Sequence, residues 1–244
     1  MSNMKSTALF LQFFLLWTAQ VRIPGPGGGS SGGSGGAATF ALIAQTFKAS
    51  AGGGNVTTPA MNTTGANLIV VGLTTNSFNT FTDSLSNTWT QMDGYINSGC
   101  SSVTSWWYAY NPAVGPAQTF SSVGAGYPIL TVIAFSGAHS GTLDQHSTAR
   151  VGGPALTLHA PSITPTANNE LIVSLLGNAD NANGGYGSAI DSGLTIVNYS
   201  PFNNGNSIGG AIAYSTLATA APIAPTWTMS DSTSCPVVML ASFK

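Results

Sequence analysis

Charge is what this sequence has least of. Its 244 residues carry five Lys/Arg and seven Asp/Glu, a net charge of −2, where soluble domains devote about a quarter of their residues to charge. Nucleic-acid binding needs many phosphate-neutralising cations, and five scattered ones exclude it. Glutamate occurs once, as Glu170 at the start of an apolar run, so no pair of neighbouring carboxylates is written for general acid and base work. A G-x-S-x-G elbow, a phosphate-cradling glycine loop and a Cys–His arrangement are also missing. These absences point to a protein that is not an enzyme and holds no cofactor or metal. After residue 40 no stretch of useful length has helical periodicity, which excludes a helical bundle.

Cysteine is nearly absent as well. Cys100 and Cys235 fit either an oxidised pair in a secreted protein or two buried thiols, and their spacing does not choose. A bridge would close a long loop, worth up to about 5 kcal/mol on the chain-entropy view.

What fills the chain instead is 43% apolar residues with much Ser, Thr, Asn and Gly. That is the composition of a folded body, since disordered chains pair low hydrophobicity with high charge. A neutral polar surface repels copies of itself weakly, and packing it away desolvates few charges. It suits a self-associating extracellular, cell-surface or virion protein better than a free cytosolic enzyme.

Short runs of Val, Ile, Thr and aromatics, punctuated by Gly, Asn, Pro and Ser, predict an all-β, antiparallel β-sandwich of jelly-roll-like form. Strands are expected over 39–50, 67–73, 88–92, 102–110, 118–123 and 127–135. A second set is expected over 155–160, 169–177, 194–199, 209–216, 225–230 and 235–243. The two sets are alike. "GANLIVVGL" aligns with "NNELIVSLL", placing Leu68 opposite Leu171, and Trp89 falls opposite Leu194. "YPILTVIAF" aligns with "CPVVMLASF", placing Pro128 opposite Pro236 and Phe135 opposite Phe243; a looser match sets Tyr110 opposite Tyr214. Two similar halves, about 55–137 and 155–244, are expected to pack face to face in one domain over 39–244, each having too few strands to bury its apolar face alone.

Within the first half, "TDSLSNTWTQM" (82–92) reads as a polar turn entering a strand, with Asp83, Ser84 and Asn87 supplying the turn chemistry. It resembles a turn-and-strand signature of β-sandwich modules in bacterial surface and phage-tail proteins. That resemblance spans roughly 55–244 and implies adhesive, structural or virion roles rather than an active site. The second copy, "DSGLTIV" (191–197), keeps Asp191 and lacks the Asn-Thr-Trp.

"SWWYAY" (105–110) sets Trp106, Tyr108 and Tyr110 on one face of a strand and Trp107 on the other. The three-aromatic face reads first as core or a subunit interface and second as a platform for surface glycans. His139, Asp144 and His146 in "HSGTLDQH" read as a solvated loop rather than a metal set. "NADNANGG" (178–185) reads as an Asn/Gly turn, because the terminal Glu of a calcium loop is missing. Sequons at Asn55, Asn62 and Asn198 are what chance supplies in so Asn/Ser/Thr-rich a chain.

The N-terminus is the other distinctive stretch. "ALFLQFFLLWT" is followed by a Gly/Ser/Pro tether over 23–38. As a secretion signal it has Lys5 and a suitable apolar run, but cutting after Ala19 sets Trp17 at the −3 position. As a membrane span it is too short, since eleven helical residues cover about 16 Å of a core about 30 Å thick. It is apolar all round rather than amphipathic, which leaves burial in protein. Residues 23–36 have a flexible span of roughly 20 Å and an extended reach of about 45 Å, enough to enter a neighbouring subunit.

This layout resembles that of donor-strand pilins, in which an apolar N-terminal extension completes a neighbour's sandwich. Donor strands alternate, whereas this segment is continuously apolar and needs both faces covered. The resemblance implies a homopolymer in which residues 1–22 dock between protomers through Leu9, Phe10, Leu11, Phe13, Phe14, Leu15, Leu16 and Trp17. The sequence therefore predicts a structural subunit of an extracellular or cell-surface filament whose partners are copies of itself. A carbohydrate-binding adhesin and a phage virion or tail protein are the alternative readings.

Overall fold

The computed structural model describes residues 39–77, 80–97, 102–139, 143–150, 154–179, 186–197, 208–233 and 235–244. The N-terminal segment expected to dock, its tether and Cys100 lie outside the described residues. The body is all-β with antiparallel pairing throughout. Among the described residues no helix is long and apolar enough to cross a membrane.

Among the described residues seven strands precede residue 137: β1 (Ala41–Ala49), β2 (Leu68–Thr75), β3 (Thr80–Asp83), β4 (Thr90–Asn97), β5 (Ser102–Tyr110), β6 (Phe120–Val123) and β7 (Ile129–Ser136). Eight follow: β8 (Leu143–Arg150), β9 (Ala155–His159), β10 (Glu170–Ala179), β11 (Gly187–Ile190), β12 (Thr195–Val197), β13 (Ile208–Leu217), β14 (Thr226–Thr233) and β15 (Val237–Phe243). One five-stranded sheet has the order β1-β7-β2-β5-β4, the other β8-β15-β10-β13-β12. Counted from the first strand each contains, both run first, fifth, second, fourth, third. A small sheet goes with each, β3-β6 in the first case and β11-β14-β9 in the second.

The central strands are continuously apolar because both their faces are covered. On β2, Leu68 and Val70 enter a core between the two large sheets, while Ile69, Val71 and Leu73 enter an outer core with Phe81 of β3 and Phe120 of β6. On β10, Leu171, Val173 and Leu175 face the inner core. Ile172 and Leu176 face a second outer core with Leu158 of β9 and with Trp227 and Met229 of β14. The sheets are thus stacked with an inner apolar seam between the two large ones and an outer seam on the far face of each. Each large sheet has its outer face covered by a small sheet and its inner face by the opposite large sheet.

Three strands were not expected. The segment around Asp144 and His146, read as a loop, is β8, the edge partner of β15 from Val237↔Arg150 to Phe243↔Leu143. Its sequence, LDQHSTAR, is polar because it is an edge strand with no residue fully buried. The other two, β3 and β11, are four residues each, too short to show alternation.

Several features recur at similar places in the two large sheets. Leu68 pairs with Phe135 as Leu171 pairs with Phe243. Tyr108 lies opposite Val70 as Tyr214 lies opposite Val173, so the ladders set Tyr214 at the register of Tyr108, two residues from the Tyr110 of the looser match. Tyr127 (φ 52°) and Cys235 (φ 60°) both adopt left-handed backbone immediately before the proline that opens the fifth strand of each large sheet. Such a conformation costs a non-glycine residue about 1–3 kcal/mol and persists only where the surroundings enforce it. Cys235 is disulfide-bonded.

At the inner seam, Gly177 has no room for a side chain. A Cβ there would press on the hydroxyls of Thr74, at 2.6 Å, and Thr104, both on strands of the facing sheet and both β-branched. Gly177→Val is expected to lower stability by about 1–3 kcal/mol in denaturant unfolding. Gly52→Ala, at a site open to solvent, should change it by no more than about 0.5 kcal/mol. Equal effects from the two would contradict the close approach.

Candidate functional site

The chemistry-bearing residues of the first half converge on Asp83, at the end of β3 and 9% exposed. Its Oδ1 accepts hydrogen bonds from the Leu85 amide (2.8 Å), Asn87 Nδ2 (3.1 Å) and Gln118 Nε2 (3.1 Å). Its Oδ2 accepts from the Asn87 amide (3.0 Å) and Trp89 Nε1 (2.9 Å). The bonds to Leu85 and Asn87 close the turn locally, with Ser86 in left-handed backbone (φ 57°); Asp favours such turns because its side chain reaches the following amides.

The remaining donors tie that turn to distant chain. The Asn87 side chain exchanges two hydrogen bonds with the Ala113 backbone, accepting from its N–H at 2.6 Å and donating to its C=O at 3.0 Å. Gln118, 1% exposed, also accepts from the Thr63 hydroxyl at 2.7 Å. Trp89 packs edge to face on Phe81 and Phe120, with ring centroids 4.9 and 6.0 Å apart. The polar half of the motif thus anchors loops, and its tryptophan seals the outer core beneath them.

The aromatic strand is interior. Trp106 is 1% exposed in the seam between the large sheets, and Trp107 is buried in the outer core against Phe81, with centroids 5.0 Å apart. Tyr108 packs edge to face on Phe243, and Tyr110, half-buried, donates its hydroxyl to the His139 carbonyl at 2.8 Å. The alternation of faces is as the sequence predicted.

In the second half, Asp144 on β8 holds Lys244 at 2.7 Å. Its two oxygens also accept from the Thr166 amide (2.8 Å) and hydroxyl (2.7 Å). Burial pushes the Asp144 carboxyl up, but the Lys244 ammonium and the Thr166 donors outweigh it and hold the group at about 2. His146 is exposed on the same strand. Among the described residues no group of three or more His, Cys, Asp or Glu is placed to hold a metal ion. Asp191, at the second turn, accepts from the Thr226 amide (2.7 Å) and the Ser192 hydroxyl (3.0 Å). The Thr226 amide chiefly holds its carboxyl below the usual range. Of the segment 178–185, Asn178 is buried at the end of β10; residues 180–185 lie outside the described residues.

Sequence reasoning singled out Asp83 and Asn87 but missed Gln118 and Thr63, whose roles come from loops brought together only by the fold. It also missed the Asp144–Lys244 pair, which joins the two ends of the second half. Compared with protein-family models, curated proteins and solved structures, the chain matches none.

Replacing the Asp83 carboxylate by an amide turns one acceptor into a donor aimed at other donors. Asp83→Asn is expected to cost at least about 3 kcal/mol in chemical unfolding, and Asp191→Asn markedly less, since its oxygens have fewer partners; equal losses would remove Asp83 from its anchoring role. The second expectation concerns acid. Asp144 has a lower pKa folded than unfolded, so its contribution is complete above about pH 4 and fades as pH falls towards 2. The melting temperature should fall over that interval, and Asp144→Asn should flatten the fall. An unchanged acid limb in the variant would contradict the pairing.

Proposed function

We propose that the chain is a non-enzymatic structural subunit of a self-assembling filament, extracellular or on a cell surface. Its β-sandwich body is built from two related halves, and protomers join through the apolar segment within residues 1–22. The observation that carries this reading is where the reactive side chains go. Asp83 accepts five hydrogen bonds from the turn and loops around it. Asp144 is committed to Lys244 and Thr166, and Trp106 is sealed between sheets. These groups serve the fold, which is the economy of a building block.

The low charge of the surface supports the same reading, because protomers pack together without stripping water from many ions. So does the order of the N-terminal parts, a continuously apolar run on a tether long enough to reach a neighbour. Glycan stacking on the Trp106 face has less support, since a sugar would have to part the two large sheets to reach the ring.

Deletion of residues 1–22 tests the proposal by electron microscopy and light scattering. The full chain should form filaments, and the truncated chain should remain a small particle with an unchanged unfolding midpoint. Filaments of normal length from the truncated chain would overturn the docking role.

A further inference from the structure

We infer that the seam between the two five-stranded sheets is an isologous interface, of the kind a two-fold dimer makes, held within one chain: the partner each half fits is a second copy of the same unit. Two aromatic contacts across it are reciprocal. Tyr108 of the first half packs on Phe243 of the second, with centroids 5.6 Å apart and ring planes at 64°. At the matching register, Tyr214 of the second half packs on Phe135 of the first, at 5.1 Å and 64°. In a two-fold interface residue i meets j and the copy of j meets the copy of i, and these two pairs obey that rule.

Residues near a two-fold axis must instead meet their own equivalents, and two pairs do. The registers of β2 and β10 that align Leu68 with Leu171 also align Gly72 with Leu175, and Thr74 with Gly177. A Cβ at Gly72 would lie 2.8 Å from Leu175 Cδ1, and one at Gly177 would lie 2.6 Å from Thr74 Oγ1. Each half supplies a small residue where the other supplies a larger one, so the axis runs between β2 and β10. The two sheets share no strand, and every ladder of the described residues closes within one half. The seam therefore joins the halves by side-chain packing, with the Thr148 hydroxyl donating to Asp93 across it.

The inference rests on reading the body as two related halves, and it goes further in making their union self-sufficient. The test inserts a protease site between residues 140 and 141, in the connection from β7 to β8, in the full chain carrying Cys235→Ser, so that no disulfide holds the halves. Before cutting, the variant should unfold as one body. After cutting, native mass spectrometry should find one particle of the uncut mass whose fragments part only on denaturation. Fragments that separate or aggregate on cutting would overturn the inference.

Tyr108→Ala and Tyr214→Ala, each made in the uncut chain, give a second readout. Reciprocity expects equal losses of melting temperature, adding in the double variant. A several-fold disparity would overturn the isologous geometry and, if the cut halves still hold together, would assign the failure to the repeat reading rather than to the seam.

Discussion

A β-sheet that is apolar on both faces cannot form an outer surface; it needs a layer on each side. Both large sheets of this protein meet that description. Their central strands β2, β7, β10 and β15 are buried along nearly their whole length. One face of each is covered by a small sheet from its own half and the other only by the opposite large sheet. The rest of the body follows from that shared inner seam. It fixes the facing of Leu68, Val70, Leu171 and Val173, and it calls for glycine where the sheets approach most closely.

The acidic groups complete the same scheme at the rims. A large sheet must be capped by its small sheet, and the small sheets are short, so their loops need pins. In the first half Asp83 gathers the 84–89 turn and the 113–119 loop through backbone and side-chain donors. In the second half Asp144 joins the edge strand β8 to Lys244 and to the loop at Thr166. With only seven acids in 244 residues, committing buried ones to such posts leaves a surface that is polar and nearly uncharged. That surface is what the proposed assembly role requires.

Much of the fold was legible because double burial writes itself as unbroken apolar runs. NLIVVGL, YPILTVIAF, NELIVSLLG and CPVVMLASF declare four inner strands. The alternation of Trp106 and Trp107 was legible too, but not that both faces are interior, since that depends on a third layer no local pattern reveals. The edge strand LDQHSTAR was illegible because an edge needs polar residues, as a loop does. Gln118 and Thr63 gave no signal, because their meaning arises only when chain more than thirty residues from Asp83 in the case of Gln118 returns to it. The Asp83 turn showed its local chemistry in DSLSN and hid its tertiary reach.

Hydrogen exchange followed residue by residue on the full chain tests the central claim, that one inner seam holds both halves, most directly. If neither large sheet can stand with its inner face bare, the amides of β2 and β7 and those of β10 and β15 should share one slow rate and one dependence on denaturant, reporting a single global opening. Exchange of β10 and β15 at low denaturant, while β2 and β7 stay protected, would show a half that opens alone and would contradict the account.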